Sequence, residues 1–399
     1  LTAVILARLL GADGFGVFAF SISVSRILAV PAMLGMQQLL VREFAAYREQ
    51  HAYALMRGLL RRARQSVLGV SVSLMLIAGV MAYFVDDYVD ALHLPAFASA
   101  LLLIPFFALT QVHDAALRGL RWIVRGQLGE IMRTALFLML VGVLFLFLPG
   151  QFDAQSAVVL QAIGGAIGLV VLIIFLQKAL PMQAKQVAPE FQTWAWIHSA
   201  WPMLLAAGMY LFNKELSVIV LGVLGTAEDV GFFRVAQRGA LIIPFGLLAV
   251  NKTIGPTLSR LYANGQMEQL QRVITKSARA NLAYALPIAL ILMAGGFWLV
   301  PFIFGSEFDS AVLPLILLCA GQLLNAGMGS VGLILTMTGK ERLVARGVAI
   351  AAIANLVLNL ILVPSLGANG AALATSLSFM LWNVVLLIWL YRDLQLNPT

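Results

Sequence analysis

Long apolar stretches separated by short polar segments run through the whole chain. Most of them reach about 20 residues, the length that an α-helix needs to cross the hydrocarbon core of a bilayer. The pattern predicts about twelve membrane-spanning helices. The first should end near Leu10 and be truncated, because Leu1–Leu6 already has the apolar pattern of a helix and no Met precedes it. The others are predicted at about 15–38, 66–85, 97–117, 130–148, 156–177, 200–222, 230–256, 281–304, 311–337, 346–363 and 370–391.

The composition indicates an all-α integral membrane protein rather than a large soluble domain. Hydrophobic residues make up 61% of the 399 residues and charged residues 11%, against about 25% charged residues in an ordinary soluble domain. The one cysteine, Cys319, lies in an apolar run, which excludes a disulfide framework. The sequence patterns GxxxxGKS/T, HExxH, GxSxG and CxxC do not occur. We therefore expect a protein that is not an enzyme, with no catalytic residues, no metal site and no cofactor.

The segments between the predicted helices alternate in charge. The acidic set contains carboxylates and no Lys or Arg, at Asp13, 86–90, Asp153, 228–229 and 307–309. The basic set lies at 42–64, 118–125, 178–185, 260–279, 340–346 and Arg392. Basic loops stay in the cytoplasm during insertion, so the C-terminus is predicted to be cytoplasmic. The net charge of +8 is thus a signal of topology, and nucleic acid is not expected as a partner.

The sequence contains an internal repeat. The segment from Leu10 to Phe18 resembles the segment from Leu224 to Phe233, and an offset of 215 residues aligns Gly16 with Gly231. Six helices in each half give both halves the same orientation, a parallel repeat about an axis along the membrane normal. Substrate sites of such transporters lie near the midplane between the halves. The predicted lobes are 1–185, with helices 1–6, and 186–399, with helices 7–12.

Several cations fall inside apolar runs, where each costs at least a few kcal/mol unless something compensates it. Arg234 and Arg238 are four residues apart and share a helix face. The repeat places Arg26 about one turn from the counterpart of Arg238, so the three are predicted to converge on a water-filled cavity for an anionic ligand. Arginine suits phosphate because its planar fork binds two oxygens. The alternatives to ligand binding are that each arginine ties two helices together or snorkels to the membrane interface, and snorkelling applies above all to Arg234. For Lys252 the alternative is a basic residue that flanks the cytoplasmic end of its span.

Lys214 and Glu215 lie in the middle of the predicted seventh helix. Adjacent residues point about 100° apart on a helix, so they do not simply pair with each other. Glu215 is a candidate for proton or sodium coupling, and Lys214 for ligand contact. The alternative is a neutralised structural pair with a neighbouring helix.

Three other patterns predict how helices pack. Asn355 and Asn359 share a face and predict hydrogen bonds between helices. Gly164 and Gly168 form one GxxxG pattern, which predicts close helix contact. Prolines inside the spans should bend them, at Pro31, Pro105, Pro244, Pro287 and Pro314.

Five segments together resemble polysaccharide-unit (O-antigen) flippases of the multidrug/oligosaccharidyl-lipid/polysaccharide (MOP) superfamily: 5–18, 228–236, 254–262, 304–311 and 364–375. The resemblance implies two six-helix lobes that form a V around a central cationic cavity. It implies a secondary transporter that flips lipid-linked oligosaccharide on polyprenyl diphosphate from the cytoplasmic to the outer leaflet by alternating access. Family members often carry an Asp in the seventh helix, and Lys214–Glu215 occupies that neighbourhood about one residue out of step.

The resemblance also implies a location and partners. The expected location is the bacterial cytoplasmic (inner) membrane, in the biosynthesis of O-antigen, lipopolysaccharide or exopolysaccharide. Besides membrane lipids and the lipid-linked oligosaccharide, the expected partners are a polysaccharide polymerase and chain-length machinery. The predicted ion-coupling residue is Glu215, and the predicted substrate-binding residues are Arg26, Lys214, Arg234, Arg238 and Lys252.

Other functions stay open at this point. A drug or cation antiporter of the same superfamily is disfavoured by the positive bias of the intramembrane charges. A membrane-embedded glycan polymerase or ligase usually has a large outer loop with catalytic polar residues, and no predicted outer loop exceeds 86–96. A scaffold without transport activity is a further alternative.

Overall fold

The computed structural model describes residues 2–84, 94–147 and 152–396, and all regular structure in these ranges is helical. The acidic segment at 86–90 lies outside them. The helices are α1 (Thr2–Met33), α2 (Met36–Glu49), α3 (Tyr53–Phe84), α4 (Leu94–Leu101), α5 (Leu103–Gly119), α6 (Ile123–Phe147), α7 (Ala154–Ala179), α8 (Met182–Gln186), α9 (Thr193–Leu224), α10 (Ala227–Ala240), α11 (Pro244–Ala263), α12 (Met267–Phe304), a 3-10 helix (Ser306–Ala311), α13 (Val312–Gly327), α14 (Val331–Met337) and α15 (Glu341–Leu394).

Eight helices of the described residues are long and apolar enough to span a membrane, and the bent pair α10–α11 makes a ninth candidate. Two of the eight each contain two predicted spans. α1 breaks at Gly11, where φ is 69°, and α15 breaks at Gly367, where φ is 52°. Glycine reaches positive φ without the steric penalty that other residues meet. With α9 as the predicted seventh span, all twelve predicted segments have a helical counterpart, and the all-α membrane fold class is confirmed.

The helix boundaries differ from the prediction in two places. The span expected at 15–38 ends at Met33, because Leu34 and Gly35 both have positive φ, and a separate helix α2 follows. The span expected at 230–256 is divided into α10 and α11, which are bent by 51°. Proline lacks the amide donor that would continue the helix, and Pro244 opens α11 at this bend. The predicted bend at Pro244 is confirmed.

The chain divides into two compact units. The N-terminal unit comprises residues 20–211. Its core is the set of fully buried apolar side chains on α2, α3, α5 and the end of α7, with Phe44 among the largest. At its edge the indole Nε1 of Trp196 donates to Tyr47 Oη at 3.0 Å. Arg57 on α3 donates through Nη1 to the carbonyl oxygens of Lys185, in α8, and Val187, directly after it, at 2.7 and 2.6 Å.

The C-terminal unit comprises residues 3–19 together with 212–399. One apolar cluster joins α11, α12, α14 and the end of α15. A second, aromatic cluster surrounds Phe308, whose ring lies 6.2 Å from the rings of Phe15 and Phe232. Arg8 on α1 donates through Nε to the carbonyl oxygen of Ile303 at 2.8 Å, near the end of α12. The two-lobe boundary at 185/186 stays a prediction.

The glycines that the repeat aligns contact each other's helices. A Cβ atom on Gly16 would overlap the carbonyl oxygen of Ala227, and a Cβ on Gly231 would overlap the carbonyl oxygen of Ala12. Only a residue without a side chain lets two backbones come this close. The start of α10 and the part of α1 after its break therefore pack backbone to backbone.

Both helix breaks are closed by a carboxylate from elsewhere in the C-terminal unit. Glu307 Oε2 accepts from the amide of Ala12 at 3.2 Å, directly after the break at Gly11. Asp229 Oδ1 accepts from the amide of Ala368 at 2.9 Å, directly after Gly367. The first amides of a helix have no partner within it, and an acceptor with negative charge satisfies them well. These acidic residues thus cap helices, a role that their charge alone did not reveal.

Candidate functional site

Glu215 lies on α9 about 13.5 Å before the end of that helix, from the rise per residue. Its side chain is completely buried, and the neighbouring Leu216 and Val218 are buried as well. A carboxylate in such surroundings needs a positive or hydrogen-bonding partner to remain charged. Lys214, the adjacent residue, is exposed and points about 100° away from Glu215 around the helix.

The partner of Glu215 is Arg234 on α10. The start of this helix is fixed by Thr226, whose Oγ1 accepts from the amide of Asp229 at 3.1 Å. Two turns further on, Arg234 is 6% exposed. Its Nη2 forms an ion pair with Glu215 Oε2, and its Nη1 donates to Gln237 Oε1 at 2.7 Å. Arg234 therefore ties α9 to α10 and does not snorkel to the surface; its contact with a ligand stays a prediction.

The other predicted cations of the C-terminal unit are more accessible. Arg238 lies one turn after Arg234 on α10 and is exposed, as is Lys252 on α11. Close to Lys252, the side chain of Asn251 accepts a hydrogen bond from Ser330 Oγ. Arg238 and Lys252 thus have the accessibility that contact with a soluble or lipid-borne anion requires.

A separate group of hydrogen bonds lies two residues after Glu215 on α9. Ser217 is 3% exposed. Its hydroxyl lies 2.9 Å from Thr375 Oγ1 and accepts from Asn359 Nδ2 at 3.2 Å. Asn359 also donates to Asn355 Oδ1 at 2.7 Å. The predicted interhelical hydrogen bonding of Asn359 is confirmed, and it connects α9 to both parts of α15.

Arg26 lies in the other unit, on α1. Its Cζ is 6.0 Å from the ring centroid of Phe107 on α5. The same ring has a second guanidinium, that of Arg133 on α6, at 5.4 Å. Since Arg26 belongs to the N-terminal unit and Arg234 and Arg238 to the C-terminal unit, their convergence on one cavity stays a prediction.

Comparison with known proteins identifies the family. A model of the polysaccharide biosynthesis protein family matches residues 1–262, well over half of the chain. The chain belongs to this family.

Among curated members of this kind, the "Probable low-salt glycan biosynthesis flippase Agl15" of Haloferax volcanii is 30% identical over 182 residues. The match covers 46% of this chain and 38% of that relative, so the chain spans less than half of the relative's length.

Solved structures show the same fold as this polysaccharide biosynthesis protein. The lipid II flippase MurJ in an inward closed conformation aligns with a TM-score of 0.72 at 13% identity, over 98% of this chain and 85% of that chain. An inward-facing multidrug resistance MATE family transporter of the MOP superfamily aligns with a TM-score of 0.70 at 13% identity, over 97% and 91% of the two chains. At such identities the likeness shows the fold alone. The family match and this shared fold confirm the predicted resemblance to a polysaccharide biosynthesis family with the fold of these transporters.

Two parts of this family member's charged site did not follow from the sequence. Arg133 was not among the predicted residues, although the predicted span at 130–148 contains it close to its start. α6 begins seven residues earlier, at Ile123, and this places Arg133 well inside the helix. The pairing of Glu215 with Arg234 was also missed, although both were candidates. Within the described residues, His, Cys, Asp and Glu form no group of three or more that could hold a metal ion.

Proposed function

We propose that this chain is a secondary transporter that flips an oligosaccharide, linked to polyprenyl diphosphate, from the cytoplasmic to the outer leaflet by alternating access. The proposal places it in the bacterial inner membrane with a cytoplasmic C-terminus, in the biosynthesis of surface polysaccharide such as O-antigen, lipopolysaccharide or exopolysaccharide. A polysaccharide polymerase and chain-length machinery are its proposed partners. Family membership and the similarity to a probable glycan biosynthesis flippase support this class of cargo.

The observation that carries the proposal is the sign of the charge inside the apolar helices. Arg26, Arg133, Arg234 and Arg238 all lie within helices of spanning length or within the bent pair. Glu215 neutralises Arg234, and Glu130 pairs with Arg133. Charged residues in membrane helices face the protein interior or a water-filled cavity and mark substrate paths. A diphosphate is the part of the proposed cargo that such a path would stabilise.

The Glu215–Arg234 pair supports a mechanism for the proposed ion coupling. A neutralised pair does not attract an anion, so Arg234 can hold a phosphate only after Glu215 gains another cation, H⁺ or Na⁺. Ion binding and substrate binding at this pair would then favour each other, and the coupling is reciprocal by thermodynamic linkage. In this proposal Glu215 is the coupling residue, while Lys214, Arg238 and Lys252 contact the ligand.

The test is transport by the purified full chain in proteoliposomes. A fluorescent oligosaccharide on polyprenyl diphosphate should reach the far leaflet faster than in protein-free vesicles, and its covalent structure should not change. Complementation of a flippase-deficient strain, scored by surface polysaccharide against membrane abundance, is the cellular counterpart. Transport of cationic drugs in place of the lipid would identify an antiporter, and chain extension of the glycan would identify an enzyme. Either result, without flipping, refutes the proposal.

A further inference from the structure

Arg133 is a buried cation deep inside a membrane helix. It lies about 15 Å from the start of α6 at Ile123, from the rise per residue, and it is 8% exposed. The GxxxG pattern of α7 makes room for it. A Cβ atom on Gly168 would lie 3.3 Å from Arg133 Cβ, and one on Gly164 would lie 3.1 Å from the carbonyl oxygen of Arg133. The predicted close contact at this pattern is therefore present, and it brings α7 against the helix that carries Arg133.

The hydrogen bonding of Arg133 is incomplete. Its Nε donates to Glu130 Oε2 at 3.1 Å, and its Nη2 forms an ion pair with Glu130 Oε1. Glu130 itself has 62% of its side chain exposed. The remaining nitrogen, Nη1, is buried and has no hydrogen-bond acceptor in the described part of the chain. A guanidinium has five N–H donors, and a buried donor without an acceptor is rare enough to require an explanation.

A second guanidinium lies at the same aromatic ring. Arg133 Cζ is 5.4 Å and Arg26 Cζ is 6.0 Å from the centroid of Phe107. Cations are attracted to the face of an aromatic ring, but two of them near one ring also repel each other. Arg26, Arg133 and Glu130 together carry a net positive charge. An anion with several oxygens would satisfy Nη1 and reduce this repulsion.

We propose that Arg133, Arg26 and the ring of Phe107 form a binding site for a phosphate or diphosphate group within the N-terminal unit. The planar fork of each guanidinium matches two phosphate oxygens, and such charge-assisted pairs are the strong class of hydrogen bonds. Arg133 thereby joins the ligand-binding residues, to which sequence reasoning assigned only Arg26 in this unit. The assignment of this phosphate group to a lipid-linked substrate rests on the function proposed above. The affinity of the site for the anion does not depend on that function.

Glu130 is the internal competitor of the ligand at this site. It occupies two donors of Arg133 from an exposed position three residues earlier on the same helix. A bound phosphate has to share Arg133 with this carboxylate or displace it. Removal of the Glu130 charge should therefore strengthen anion binding, whereas removal of the Arg133 charge should weaken it. If the Arg133–Glu130 pair had only a structural role, the two substitutions would not change the anion affinity in opposite directions.

The experiment measures binding to the purified full chain in nanodiscs of zwitterionic lipid. The probes are inorganic diphosphate, a polyprenyl diphosphate and the uncharged polyprenol. The variants are Arg133→Gln, Arg133→Lys and Glu130→Gln. Arg125→Gln is the matched control. Arg125 also lies on α6, and its Cζ is 4.0 Å from the centroid of the Trp122 ring, but its side chain is exposed.

We expect Arg133→Gln to weaken binding of inorganic diphosphate roughly tenfold or more, the size of one charge-assisted hydrogen bond. Arg133→Lys should retain part of the affinity, Glu130→Gln should increase it, and Arg125→Gln should leave it unchanged. Wild-type affinity in folded Arg133→Gln overturns the proposal. If that variant does not fold, an unchanged or lower affinity in Glu130→Gln overturns it instead.

The two diphosphates separate this site from the proposed transport function. Arg133-dependent binding of both, with no flipping in proteoliposomes, supports the site and refutes the flippase. Flipping that is unaffected in Arg133→Gln, with no diphosphate binding, refutes the site and supports the flippase. Binding of the uncharged polyprenol with equal affinity would assign the affinity to the lipid chain and overturn the anion site.

Discussion

Arg234→Gln should be among the most destabilising single substitutions in the C-terminal unit. It removes the counter-charge of Glu215, whose side chain is completely buried. Loss of one partner from a buried ion pair costs about 3–5 kcal/mol, because the other charge stays buried and uncompensated. Glu215→Gln should cost less, about 2–3 kcal/mol, since the new amide oxygen can still accept from Arg234 and the hydrogen bond to Gln237 at 2.7 Å remains.

The double variant Glu215→Gln/Arg234→Gln provides the decisive comparison. Two neutral amides leave no unpaired charge, so the double variant should be about as stable as the milder single variant. The coupling energy from the double-mutant cycle should then equal the cost of Arg234→Gln alone, about 3–5 kcal/mol. The measurement is the free energy of unfolding of the purified variants in mixed micelles, followed by tryptophan fluorescence.

The same cycle on Arg272 and Glu268 is the control. This pair is also within the C-terminal unit, four residues apart on α12 with 3.4 Å between its charged atoms, but its side chains are 71% and 90% exposed. Solvent screens such a pair, and its coupling energy should be close to zero. Additive effects of the Glu215 and Arg234 substitutions, with a coupling no larger than that of the exposed pair, would refute the description of a neutralised buried pair.

Three further outcomes test the topology, the cavity and the helix contact. In a cysteine-free background, a cysteine at Asp309 should react with an impermeant thiol reagent added outside and one at Arg61 should not; the reverse labelling would invert the orientation. Arg238→Ala should abolish polysaccharide export at normal membrane abundance and Arg238→Lys should retain part of it, since lysine keeps the charge without the planar fork; full export by the alanine variant contradicts a role in substrate binding. Gly16→Val should lower the melting temperature, because its Cβ overlaps a main-chain carbonyl of α10, while Gly69→Val, where a Cβ meets no atom within 4 Å, should have a much smaller effect; equal melting temperatures would contradict the close contact.

The sequence predicted the helices well because their signal is local. An apolar run of about 20 residues specifies a membrane helix whatever its neighbours are. The breaks at Gly11 and Gly367 could also be anticipated from the polar residues around them, and both fall between predicted spans. The carboxylates that cap the helices at these breaks could not be anticipated. Glu307 and Asp229 are distant in sequence from the amides that they accept from, so a single sequence shows only their charge.

Helix boundaries had a larger effect on the site than on the fold. An error of a few residues at a helix end is normal for sequence reasoning and leaves the architecture unchanged. For α6 the error was seven residues, from 130 to Ile123. It moved Arg133 from about 5 Å inside the predicted span to about 15 Å inside the helix, from the rise per residue. The sequence signal for the earlier helix start was the pair of small residues Gly126 and Gly129, which lie at helical spacing from each other and precede Arg133.

The role of an arginine in a membrane helix depends on its partners more than on its depth. Arg234 and Arg133 are both buried, and each has one carboxylate. For Arg133 that carboxylate is Glu130, three residues away on the same helix, so the pair is local and leaves Nη1 for a ligand. For Arg234 it is Glu215 on another helix, fully buried, and Gln237 accepts from Nη1. An anion can therefore reach the first guanidinium in competition with an exposed carboxylate, whereas the second must first lose its buried partner's charge.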